Sequence, residues 1–255
     1  MCTRNYNGYG VRDNFPLRDM PLSEFKILLD PVLPHPKFML SLCGTYGDPA
    51  ANKNCTEILE YIHTVYPHVR IIMSSNASMK TPAWWAKLAE FTNLKIEFAL
   101  DGLADTHSIY RQNTNWHKII ENATAYIDAG GFAIWQFIKF DHNKHQLEQC
   151  KQMSKDIGFA EFKHFDDNRA NGLAFTPDGD PFVLGTPSEE ITNAMQFVEQ
   201  EKYLQRQYEL NLQEEYVRDL SVDSIECYSQ EGNIYVAVNG DVWPCCWLGG
   251  TFPMT

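Results

Sequence analysis

Residues 69–102 read VRIIMSSNASMKTPAWWAKLAEFTNLKIEFALDG. A short apolar run, Val69–Met73, gives way to the polar Ser74-Ser75-Asn76. Thr81-Pro82 then supplies a helix N-cap and a first-turn proline ahead of Trp85 and Leu88. A second apolar run, Lys95–Leu100, ends on Asp101-Gly102. Strand, helix and strand in this order make one βαβ unit. Runs so nearly apolar throughout suit parallel strands covered on both faces.

The same rhythm extends in both directions. Phe38–Leu42 precedes the unit, and Phe132–Phe140 and Phe159–Phe165 follow it as further short strands. Asn54 with Glu57 has the spacing of a capping box before Ile58, Leu59 and Ile62. Trp116, Ile119, Ile120, Ala123 and Ile127 form a helical stripe that stops at Gly130. Asn143 and Gln146 open another helix, with Leu147 and Cys150, that closes at Gly158. The alternation predicts right-handed βαβ units and a parallel sheet. Leu22–Leu29 reads as a helix with no strand ahead of it, so the series is expected to lack its first strand.

Beyond Phe165 the pattern changes. Asp166–Pro187 reads as loop, with turn chemistry at Pro177-Asp178-Gly179-Asp180-Pro181. Glu189–Asp219 reads as a long polar helix. Asn233–Val238 and Asp241–Trp243 flank Asn239-Gly240, a strong hairpin signal. The expected divisions are 1–185 for the barrel-like part, 186–220 for a helical linker and 221–255 for the start of a small cysteine-rich domain.

At 255 residues and 44% hydrophobic, the chain can bury a sizeable core. Its formal charge of −12 argues against nonspecific binding to nucleic acid or an anionic membrane. No apolar run is long enough to span a bilayer, and no basic segment followed by an apolar stretch reads as a signal peptide. A cytoplasmic protein is expected. The seven cysteines are Cys2, Cys43, Cys55, Cys150, Cys227, Cys245 and Cys246, and in such a compartment they read as thiols or metal ligands. Cys43, Cys55 and Cys150 sit among apolar neighbours and are expected to be buried.

These motifs, in order, resemble the radical S-adenosylmethionine (SAM) superfamily, specifically members with a C-terminal auxiliary-cluster domain of the SPASM or Twitch type. Met1-Cys2 resembles the end of the family's CxxxCxxC loop, whose thiolates hold a 4Fe-4S cluster. Ser41-Leu42-Cys43-Gly44-Thr45-Tyr46-Gly47-Asp48-Pro49 resembles the glycine-rich loop that receives the SAM amino group. Ser75-Asn76 resembles the loop near the ribose and carboxylate. Ala99-Leu100-Asp101-Gly102, followed by His107-Ser108-Ile109-Tyr110-Arg111, is similar to the family's Ser-Ile-Asp-Gly and His-x-x-Tyr-Arg pair. Asp101 stands either as an active-site residue or as the partner of Arg111 in a surface ion pair. Cys227-x12-Gly240-x4-Cys245 matches the first half of the auxiliary-cluster pattern, with Cys246 the alternative to Cys245 and a zinc site the rival reading.

The resemblance implies an incomplete parallel (β/α)6 partial barrel lacking its first strand, followed by the start of a cysteine-rich β-hairpin domain. It implies SAM contacts at Tyr46, Gly47, Asp48, Ser75, Asn76 and Asp101, and metal ligation at Cys2, Cys227 and Cys245. The intact protein would cleave SAM reductively to a 5′-deoxyadenosyl radical, drawing electrons from a reductant protein, and would abstract hydrogen from a peptide or protein substrate. The rival is a non-catalytic zinc- or iron–sulfur-binding interaction domain. The chain carries only Cys2 of the first cluster's thiolates, so truncation at both ends is expected. The 255-residue chain should then release no 5′-deoxyadenosine after anaerobic reconstitution with dithionite, whereas an upstream-extended chain should. Substantial product from the short chain would place the cluster on other cysteines.

Overall fold

A computed structural model describes residues 5–6, 9–11, 18–44, 47–166, 173–175, 181–184, 235–236 and 242–243. Two compact units divide the chain, Arg18–Ala170 and a second that draws on both ends.

In chain order the elements are β1 (Asn5–Tyr6), β2 (Tyr9–Val11), α1 (Leu22–Leu29), β3 (Met39–Leu42), α2 (Cys55–Val65), β4 (Arg70–Ser75), α3 (Pro82–Leu88), β5 (Leu94–Ala99), α4 (His107–Tyr110), α5 (Trp116–Asp128), β6 (Phe132–Lys139), α6 (Leu147–Ile157) and β7 (Glu161–Asp166). Three-residue β8 (Leu173–Phe175) and β9 (Pro181–Val183), then β10 (Tyr235–Val236) and β11 (Val242–Trp243), complete them.

β3 to β7 form one parallel sheet whose strand order is the chain order. Crossovers between such strands are right-handed, so a sheet that always grows in one direction receives its helices on one face. That face is apolar. Leu40, Ile71, Met73, Ile96, Phe98, Ala133, Trp135 and Phe137 are buried there. Trp85 of α3 and Tyr126 of α5 pack on Phe98, with ring centroids 5.6 and 6.0 Å away. The Tyr126 hydroxyl donates to the Leu94 carbonyl at 3.1 Å.

The expectation of strands apolar on both faces needs correction. Period-two alternation turns Ser74, Lys95, Glu97, Glu161 and Lys163 to the opposite face, where they are only partly buried. Ser74 donates to Glu97 at 2.9 Å, Lys163 pairs with Glu97 at 3.1 Å, and Glu161 lies between Lys163 and Lys95 at 3.7 and 3.9 Å. The side chains are long enough for their methylenes to read as apolar bulk in an otherwise apolar run.

Several local signals act as written. Thr81 accepts from the Trp84 amide at the start of α3, and Gly158, at φ +99°, closes α6. The Asn54–Glu57 capping box does not form. The Asn54 side-chain amide instead donates to the Met20 carbonyl at 3.1 Å, tying the segment ahead of α1 to α2. The stretch expected to be loop after β7 contains β8 and β9, which pair antiparallel. β10 and β11 also pair antiparallel, as the hairpin signal requires. The expected turn at Asn239-Gly240, the helix Glu189–Asp219 and Cys2, Cys227, Cys245 and Cys246 lie outside the described residues.

Candidate functional site

Parallel strands deliver their following loops to a common edge, the C-terminal one. Three of these loops carry the residues singled out in the sequence: Gly47-Asp48 after β3, Asn76 after β4 and Asp101 after β5. Tyr46 lies outside the described residues. Cys43, expected to be buried, is exposed, because the chain has already left the sheet at Leu42.

Asp48 joins the first two loops. Its carboxylate accepts the Ala50 amide at 2.9 Å, the Ser75 hydroxyl at 2.9 Å and the Asn76 amide at 2.7 Å. The Ser75 hydroxyl lies 2.9 Å from both carboxylate oxygens, so each oxygen has two contacts. Burial holds the Asp48 carboxyl above the usual range for an aspartate. Hydrogen bonds from Asn76, Ala50 and Ser75, and the charge of Arg111, act against that rise. Ser75 is itself buried and accepts the Ala77 amide at 2.9 Å. Ala77 sits at φ +52°, a left-handed conformation that costs an alanine roughly 1–2 kcal/mol. Its carbonyl is gripped by the buried Asn122 side chain at 2.7 Å, so the loop after β4 is fixed from both sides.

Asp101 is fully buried. One oxygen accepts Arg111 Nε at 2.6 Å, and the other accepts the Ile138 amide at 2.6 Å. Its amide donates to His107 Nδ1 at 3.2 Å, and its carbonyl accepts from Asn143 at 3.2 Å. The surface ion pair considered from the sequence is therefore an interior one. Next to it, Gly102 adopts φ +115°, and a Cβ there would sit 2.1 Å from the Thr106 hydroxyl oxygen. Only glycine fits the position.

Arg111, at the end of α4, pairs with Asp101, lies over the Tyr110 ring at 4.9 Å and feels the charge of Asp48. Burial alone would lower its pKa, but Asp101, Tyr110 and Asp48 outweigh that effect and keep it charged. Nε is its one hydrogen-bonding nitrogen; the two terminal nitrogens make no hydrogen bond among the described residues. The open end of the guanidinium suits a two-oxygen anion. Sequence reasoning gave Arg111 only the role of Asp101's partner. The signal that could have raised it was its place one turn beyond His107, at the end of the motif that follows β5.

His107 is fully buried and neutral. Burial lowers its pKa from 6.5 to about 4, with Arg111 acting in the same direction and Asp101 against it. Nδ1 accepts a hydrogen bond, so the proton sits on Nε2, which has no partner among the described residues. The folded state thus binds fewer protons than the unfolded chain between pH 6.5 and 4. Stability from this group is complete above pH 6.5 and falls, by about 3 kcal/mol in all, as the pH drops to 4. Urea titrations at pH 7 and pH 4.5 should show this loss in the wild type and a shallower one in His107→Gln. Equal slopes would contradict it.

An iron–sulfur cluster finds no ligand set among the described residues. Burial pushes the thiols of Cys55 and Cys150 up to about 12, so neither is a thiolate near neutral pH. No three His, Cys, Asp or Glu side chains group to hold a metal among the described residues.

The sequence matches no protein-family model and no curated protein. Among solved structures, the chain is similar to Streptococcus suis SuiB, with a TM-score of 0.64 at 12% identity over 92% of this chain and 56% of SuiB. SuiB bound to S-adenosylmethionine gives 0.64 at 11%, covering 95% and 57%. SuiB bound to precursor peptide SuiA gives 0.63 at 12%, covering 100% and 58%. Native anSMEcpe with bound AdoMet gives 0.56 at 13%, covering 99% of this chain and 71% of that protein. The chain spans a little over half the length of SuiB. At these identities the likeness is one of fold, and it agrees with the partial parallel α/β barrel expected from the sequence.

Proposed function

We propose that this chain is part of a radical SAM enzyme that holds S-adenosylmethionine by its methionyl end at the C-terminal edge of the sheet and acts on a peptide or protein substrate. The observation that carries the reading is the electrostatic pairing of the Asp48 carboxylate with Arg111, whose terminal nitrogens make no hydrogen bond among the described residues. An amino acid's ammonium and carboxylate need an acceptor and a fork of donors, and the segments that follow β3 and β5 supply them. Asn76 and Gly47 line the same loops. Two of the structures sharing the fold were solved with S-adenosylmethionine and one with a precursor peptide, which supports the choice of ligand and substrate class. Reductive cleavage would be the chemistry of a bound 4Fe-4S cluster. The part of the chain described above binds and orients.

Equilibrium binding of S-adenosylmethionine tests this. Asp48 must be ionised to pair with an ammonium, and its carboxyl sits above the ordinary aspartate range. Affinity should therefore decline with falling pH before an ordinary aspartate would protonate, while Asp48→Asn should lower affinity roughly 10- to 100-fold at neutral pH. Affinity that is the same in Asp48→Asn and flat with pH would remove Asp48 from the site.

A further inference from the structure

Asp101 is built into the same edge, yet its side chain is fully buried, with one donor on each oxygen. A carboxylate facing arginine commonly takes two N–H groups side by side, one on each oxygen. Here the Ile138 amide donates to one oxygen at 2.6 Å, and Arg111 donates to the other through Nε alone, at 2.6 Å. The outcome is a guanidinium fixed at one nitrogen with its terminal nitrogens unspent. The backbone of Asp101 is fastened as firmly, to His107 on one side and Asn143 on the other, and Asn143 also caps the chain after β6 by accepting the Phe140 amide at 2.7 Å. The end of β6 thereby helps to hold Asp101, and through it Arg111.

From this we infer that Asp101 is a positioning residue: it orients the open end of Arg111 towards a ligand's carboxylate and does not touch the ligand. This rests on the SAM-binding reading above. The role differs from that of a direct contact, because removing Asp101 should affect only ligands that possess the carboxylate.

Two probes make the distinction, S-adenosylmethionine and 5′-methylthioadenosine, which shares the adenosyl group and S-methyl but is a neutral thioether rather than a sulfonium and has no amino-acid end. In Asp101→Asn the side chain keeps its size and still accepts from Ile138, while the hold on Arg111 Nε is lost. Affinity for S-adenosylmethionine should fall about 10- to 100-fold, and affinity for 5′-methylthioadenosine should change less than twofold. If the variant weakens both ligands alike, or neither, Asp101 is structural and the inference falls. If the wild-type chain binds neither probe, the SAM-binding reading itself falls, and the inference with it. A measurement on the wild type needs no variant. The Arg111 Nε–H nitrogen resonance should be protected from exchange without ligand and should stay in place on addition of S-adenosylmethionine, while the terminal N–H signals move. An Nε–H signal that shifts with the ligand, or exchanges freely without it, would overturn the inference.

Discussion

Asp101→Ala is expected to lower the stability of the Arg18–Ala170 unit by about 3–5 kcal/mol, the usual cost of removing one partner from a buried ion pair. Arg111 would keep a charge that its surroundings no longer match, and the Ile138 amide would lose its acceptor. In a thermal melt followed by circular dichroism this corresponds to a drop of roughly 10 °C. The double variant Asp101→Ala/Arg111→Met should regain much of the loss, because it removes the stranded charge. A single-variant loss below about 1 kcal/mol would mean that the pair behaves as an exposed one.

Trp135→Ala should cost a comparable amount, about 3–5 kcal/mol. The ring is fully buried at the centre of the helix-covered face, with Phe159 and Phe162 at centroid distances of 5.2 and 5.9 Å. Its N–H also donates to the Leu100 carbonyl at 2.9 Å, just before Asp101, so the change unsettles the candidate site as well as the core. Trp135→Phe keeps most of the packing and loses the hydrogen bond; a loss of about 1–2 kcal/mol is expected there. Urea unfolding separates the two contributions, and equal losses would show that the hydrogen bond rather than the ring dominates.

The sheet was legible because its signals are local. Each apolar run, with the cap or glycine beside it, marks a strand or helix without reference to the rest of the chain, and α1, α3 and α6 begin or end where Leu22, Pro82 and Gly158 indicate. The three loops of the candidate site were legible for the same reason, since each follows directly on a strand. What the sequence does not display is how a side chain chooses among partners. Asn54 had a local partner in prospect and took the Met20 carbonyl. Asp101 and Arg111 were readable as a pair, but the Ile138 amide that limits that pair belongs to the backbone of another strand and has no residue-type signature. The polar face of the sheet was hidden in another way, since Lys95, Glu97 and Lys163 interrupt apolar runs without breaking them.

The agreement between strand order and chain order has a consequence for how the protein comes into being. Each of β4 to β7 pairs with the strand made just before it, and no place in the sheet has to be held open for a strand that arrives later. Growth can therefore keep pace with synthesis, one strand and its covering helix at a time as the polypeptide leaves the ribosome. Up to β7, the growing edge at every stage is the one that the next strand will cover.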